Sequence, residues 1–355
     1  MTAASKEREI LVDIAKGVAI LCVVAGHSGF PLTLWINPYS FHMAFFFMIA
    51  GFFIKTDAGF IKFVSQKFSR LIIPFYAYFL SFAVISLLLS KYVPCSGIVF
   101  PQNFFSLNVL LMDPFNRNSS FSLIHPLWFL TTLFGGMVLF AVFQRILSGL
   151  SAKIHWLGKI LLLIIIGQSV VETQSMFGTA TLLQVSARWV VVACFLGIGS
   201  IGWKERARWN NSTVIFVATY IFLVISWRFL PNYIIAQHVY GRGMVKHIFM
   251  LCSVLGAISA LGVCKAVKDI PRVSAFLSFC GEKSFTIMAL HMSAFELVTL
   301  TEKAVMPREI FVRLSDMTSN SWMQRTLLFI AGIIFPLAAV LLADRLRLII
   351  KRKID

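Results

Sequence analysis

The chain has 355 residues, of which 58% are hydrophobic and only 13% charged, and its mean hydropathy is +0.83. Soluble domains carry about 25% charged residues, so this composition excludes an ordinary soluble enzyme and points to a chain that lives in lipid. The net charge of +17 would suggest nucleic acid in a soluble protein; here it reads as loop charge that orients membrane helices, and no nucleic-acid partner is expected.

Apolar runs of about 20 residues cross a hydrocarbon core of about 30 Å as helices, because lipid offers backbone amides no partners. Windows such as Ile160 to Ile166 are apolar on every face, unlike the alternating strands of a transmembrane barrel. The expected fold class is an all-α polytopic membrane protein of about ten transmembrane helices, one domain over 1–355 with no soluble domain. The predicted spans are about 10–28, 36–54, 71–90, 123–144, 157–173, 185–202, 213–230, 247–264, 285–300 and 326–344. Asn37 and Pro38 occupy the first turn of the second window, whose firmly apolar part begins at Phe41. The first window follows Lys6 and Arg8 as a signal peptide would, but the polar residues inside it argue that it is retained.

Lysine and arginine counts assign the sides. With the N-terminus inside, the inner segments hold 21 of the basic residues and the outer segments 10, with Lys16 inside the first span. A two-to-one bias places both termini in the cytoplasm. The six cysteines (Cys22, Cys95, Cys194, Cys252, Cys264 and Cys280) show no paired spacing, so neither a disulfide framework nor a metal site is expected.

The first span carries Asp13, Lys16 and His27 where each charge costs about 2.5–3.5 kcal/mol on insertion scales. Lys16 and His27 are eleven residues apart, about three full helical turns, so both project from one face with a rise of about 16 Å between them. Asp13, one turn below, can pair with Lys16. The pair can also be a plain helix-end ion pair with a snorkelling lysine. Other spans supply the context. His42 opens the second, His125 and Trp128 open the fourth, and the ninth holds His291 and Glu296. Histidines at a shared depth suit proton transfer near neutral pH. At the inner face, Lys67 and Arg70 lie one turn apart and suit a phosphate-rich ligand, or are simply flanking charge. Glu172, near the outer end of the fifth span, is a candidate to orient a histidine. Trp128 suits stacking on a sugar face, although interfacial tryptophans are common in membrane proteins.

These strings resemble the acyltransferase 3 family of membrane O-acyltransferases, which includes bacterial fucose-4-O-acetylase-like proteins. The family's opening signature, a basic residue and a histidine separated by ten residues, is matched by Lys16 and His27. A histidine-led phenylalanine run is matched by FHMAFFFMIAGFF, from Phe41 to Phe53. Lys67 and Arg70 before LIIPF, PLWFL from Pro126 to Leu130, and SFTIMALH ending at His291 complete the family order. Lysine stands at 16 and 67 where many members have arginine, which keeps the charge but loses the bidentate fork.

The resemblance implies transfer of an acyl group, most often acetyl, from cytoplasmic acetyl-CoA to a hydroxyl of a cell-envelope carbohydrate, free or lipid-linked, in a bacterial inner membrane. Under it, His27, Lys16 and His42 are expected to be catalytic, with His27 as general base or as the site of a covalent acyl intermediate. Lys67, Arg70 and Lys16 are expected to hold the coenzyme, and His125, Trp128, His291 and Glu172 to contact the acceptor. No metal is expected, because the thioester already carries the activation. The rival reading is a transporter or flippase for a lipid-linked sugar; it would more naturally show repeated halves with broken helices, and neither is visible in the sequence.

Overall fold

Apolar residues that must satisfy their own amides wind into helices, and in the computed structural model every long described segment is helical. The structure describes residues 3–32, 38–56, 59–89, 122–147, 154–173, 181–206, 213–229, 248–305 and 322–354. Most of the connections at 91–122 and 301–325 lies outside them.

The helices, in chain order, are α1 (Ala3–Ser28), α2 (His42–Phe52), α3 (Phe60–Lys67), α4 (Ile73–Leu89), α5 (Trp128–Leu147) and α6 (Trp156–Thr173). They continue as α7 (Thr181–Lys204), α8 (Thr213–Phe229), α9 (Phe249–Lys268), α10 (Pro271–Glu282), α11 (Ser284–Val305) and α12 (Trp322–Ile354). Among the described residues, eight helical stretches are long and apolar enough to cross a membrane, and His42–Phe52 and Thr213–Ile225 are shorter apolar helices. Among the described residues the protein is all-helical, as a polytopic membrane protein is.

Three windows differ from the sequence expectation. The second was expected to be helical from about residue 36; instead Pro38–Ser40 form a 3-10 turn and the regular helix starts at His42. A proline lacks the amide that a helix interior needs, so the helix begins only beyond it. The third was expected to start at about residue 71, yet helix runs continuously from Phe60 through a π-helical turn at Phe68–Ile72 into α4. The fourth is preceded by a 3-10 segment, Ser122–Leu127, that contains Pro126. In addition, α10 was not anticipated at all.

Two helix pairs approach backbone to backbone. A Cβ on Gly17 of α1 would fall on the carbonyl oxygen of Leu277 in α10, and one on Gly281 would fall on that of Asp13. The pair α2 and α7 repeats the device, with Gly51 against Leu196 and Gly199 against Met48. Small residues permit such close packing in lipid, where helix association depends on van der Waals contact. Around these pairs, α1 also packs against α2, α9, α11 and α12. Its buried residues Ile14, Ile20 and Val24 are fully enclosed by the bundle.

Candidate active site

The far end of α1 is held by its own cap. Gly29 adopts φ +70, the left-handed conformation a helix uses to stop. The Phe30 amide donates back to the Ala25 carbonyl at 3.0 Å, closing a Schellman turn. Phe30 then stacks on Phe329 of α12 with ring centroids 4.4 Å apart. His27 therefore sits in the last turn of a helix whose end is fixed twice.

Around it, several chain segments end or begin. The 3-10 turn Pro38–Ser40 leads into α2 and the turn Ser122–Leu127 into α5, while α9 starts at Phe249. They enclose a cavity of about 310 Å³, within the range of small-molecule sites. His27, His42 and His125 line it, together with Trp128, Tyr39 and Ser253. Phe47, Phe195 and Phe249 supply apolar wall.

Each polar group in this wall is positioned by a local contact. His42 Nδ1 is hydrogen-bonded to the Pro38 carbonyl one turn back. A carbonyl only accepts, so Nδ1 carries the hydrogen and Nε2 keeps the lone pair. Tyr39 lies edge-on between two histidines, 6.0 Å from the His27 ring and 5.2 Å from the His42 ring by centroid. Gly26 makes room for it, since a Cβ there would meet the Tyr39 ring at 3.1 Å. The Ser253 hydroxyl donates to the Ser40 carbonyl at 2.9 Å, tying the turn before α2 to α9.

His291 is fully buried on α11 and does not line the cavity. Its ring lies behind that of His27, 5.2 Å away by centroid. Its Nδ1 is bonded to the Ile287 carbonyl at 2.9 Å, and its buried Nε2 has no hydrogen-bond partner.

Four residues picked from sequence stand apart from the cavity. Lys16 is bonded to Asp13 at 3.0 Å, with 38% of its side chain exposed, beside the contact of α1 with α10. Lys67 ends α3, with its ammonium 5.4 Å from the Phe63 ring centroid. Arg70 is exposed in the π-helical turn that follows. Both lie at the end of the bundle away from His27, since α2 runs from the cavity toward them. Glu172 accepts a hydrogen bond from Gln168 at 3.0 Å. The Gln168 side-chain oxygen accepts in turn from the Met250 amide at 3.2 Å, joining α6 to the start of α9.

Sequence reasoning missed Tyr39, Ser40 and Ser253. Tyr39 and Ser40 lie in the NPYSF stretch read as a weak start to a helix, and Ser253 is one hydroxyl in an apolar run. Only the fold turns these three toward the histidines.

Comparison with known families assigns this arrangement. A family described as an acyltransferase domain, acyltransferase 3, matches residues 10–342. The chain belongs to the acyltransferase 3 family. It is thus a membrane acyltransferase, and it takes an acyl donor. The match spans all the segments that build the cavity, from the end of α1 through His125 to Met288. No curated protein and no solved structure matches the chain.

Proposed function

We propose that the protein is an O-acetyltransferase that takes acetyl from cytoplasmic acetyl-CoA and places it on a hydroxyl of a cell-envelope carbohydrate, in a bacterial inner membrane with both chain termini in the cytoplasm. The observation that carries this reading is the convergence of His27, His42, His125 and Trp128 on one cavity at the helix ends. Aromatic walls with a few directed polar groups suit a sugar ring, and the cavity's size suits a monosaccharide unit rather than a whole acyl-CoA.

In this reading His27 is the general base. It removes the proton from the sugar hydroxyl as the oxygen attacks the thioester carbonyl. The negative end of the α1 dipole lies at His27, where it favours the transient imidazolium. The starts of α2, α5 and α9 face the same space with their positive ends, where charge on the carbonyl oxygen develops. His42, with Nε2 free to face the cavity, assists by hydrogen bonding. His125 and Trp128 contact the acceptor. The donor's phosphates dock on Lys67 and Arg70 at the opposite end, and Lys16 neutralises a further phosphate in place of Asp13.

Purified protein with acetyl-CoA tests the assignment. Wild type is expected to release free coenzyme A thiol, slowly alone and faster with an acceptor glycan. His27→Ala is expected to abolish release while the protein still inserts and purifies as a single species. Thiol release unaffected by His27→Ala would refute the role of His27.

A further inference from the structure

We infer that His291 is a positioning residue that accepts a hydrogen bond from His27 and so decides which nitrogen of His27 faces the acceptor; this rests on the acyltransferase reading above. Histidines on the cavity wall are exposed to whatever the cavity holds, whereas His291 is wholly enclosed. Its Nδ1 bonds the Ile287 carbonyl, which makes that nitrogen the N–H and leaves Nε2 with an unshared pair. That Nε2 is buried without a partner, so the desolvation of its lone pair goes uncompensated. Such a group calls for an explanation, and here the nearest ring is that of His27, at 5.2 Å between centroids and tilted by 45°. Imidazole χ2 is a soft torsion, so a small turn of His27 brings an N–H to the His291 lone pair.

The consequence for the reaction is specific. With one His27 nitrogen donating to His291, the other is held as a lone pair toward the cavity, the tautomer a general base requires. The acceptor O–H bond then breaks and its proton goes to His27 while the oxygen forms the new bond to the thioester carbon. The C–S bond breaks, the leaving thiolate takes the proton from His27, and the products are an ester and free thiol. Throughout, His291 stays neutral and supplies only orientation. His291 therefore acts through His27 and does not touch the acceptor, in contrast to the expectation from sequence that grouped it with the acceptor-binding residues.

Two substitutions of nearly equal polarity separate this role from simple packing. His291→Asn keeps a donor at the Nδ1 position for Ile287 but stops short of His27. His291→Gln extends an oxygen toward the Nε2 position and restores an acceptor. Orienting partners of ligand histidines are worth about 10–100-fold, so His291→Asn is expected to lower kcat about 10–100-fold with KM for donor and acceptor unchanged. His291→Gln is expected to recover most of that loss. Equal kcat for Asn and Gln variants overturns the inference, as does a loss that appears in KM alone. Should the Asn variant not fold, His291→Phe takes its place as the variant without an acceptor. An active wild type with indistinguishable variants refutes only the role of His291. A wild type that neither transfers acetyl nor hydrolyses the thioester refutes the transferase reading, and the inference with it.

Discussion

Replacing Gly17 with alanine tests whether α10 sets the height of His27. The new Cβ would fall on the Leu277 carbonyl oxygen, with the carbonyl carbon 2.8 Å away and the Cα 3.2 Å away. These are backbone atoms and cannot rotate aside. To reach ordinary contact the two helices must part by roughly 1.3 Å or more. Overpacking of this kind costs about 1–3 kcal/mol, while alanine in a helix interior recovers up to about 1 kcal/mol over glycine. The net expectation is a destabilisation of about 1–2 kcal/mol. Gly202→Ala is the control, because nothing lies within 4 Å of a Cβ there; it should be neutral or stabilising by up to about 1 kcal/mol. Thermal unfolding in detergent, followed with a thiol-reactive dye, suits this protein because Cys22, Cys194, Cys252, Cys264 and Cys280 are all buried. The Gly17 variant should show a lower midpoint and the Gly202 variant should not. Gly17 and His27 share one rigid helix, so a shift of about 1 Å carried to the cavity should lower turnover by up to about 100-fold. A Gly17→Ala protein with wild-type midpoint and wild-type kcat would refute the claim that the α1–α10 contact positions the site.

Lys67→Ala combined with Arg70→Ala should raise KM for acetyl-CoA about tenfold, a typical charge-assisted contribution, and leave KM for the acceptor alone; equal rises in both would place the coenzyme elsewhere. Tyr39→Phe should keep most activity, because the ring contacts with His27 and His42 remain, whereas Tyr39→Ala should lose it as both rings gain room; comparable losses in the two would assign the role to the hydroxyl. Gln168→Leu removes the link from Glu172 to the Met250 amide and should lower the unfolding midpoint by an amount equivalent to about 1–3 kcal/mol with kcat unchanged. Glu172→Leu, which removes the acceptor for Gln168, should behave likewise, and a rise in acceptor KM would instead make Glu172 an acceptor ligand.

Much of the site's depth was legible in the sequence, and little of its facing was. His27, His42 and His125 could be placed at a common level because each lies at the end of an apolar run, and such runs all terminate at the same two planes. The pairing of Asp13 with Lys16 followed from their spacing alone. Which way a side chain points within a bundle is a different matter, since an all-apolar helix shows no periodicity to read. His291 illustrates this: its height was evident, but its place behind His27 depends on how α11 is rotated against α1. Helix α10 was invisible for another reason. PRVSAFLSFCGE is too short and too polar for a span, and its importance lies in Gly281, whose missing side chain leaves no signal until Asp13 is seen beside it. The π-helical turn around Arg70 likewise has no residue that announces it.

The choice of imidazole throughout the cavity has a physical logic. A carboxylate held among helices in the membrane is costly unless paired, whereas an imidazole can rest there uncharged and still take a proton. His42 and His291 each donate through Nδ1 to a carbonyl four residues back, which fixes the tautomer that keeps a lone pair on Nε2. His27 is the ring placed between them, with His291 in ring contact on one side and Tyr39 leading to His42 on the other. In the proposed transfer it is charged only between the attack and the departure of the thiolate, which takes the same proton away. In that proposal the acyl group reaches the His27 end of the bundle without leaving a charge in the bilayer. Replacing His27 by glutamate would retain a base but require a resting charge at that depth, so His27→Glu should fail to restore turnover where a purely geometric role would tolerate it.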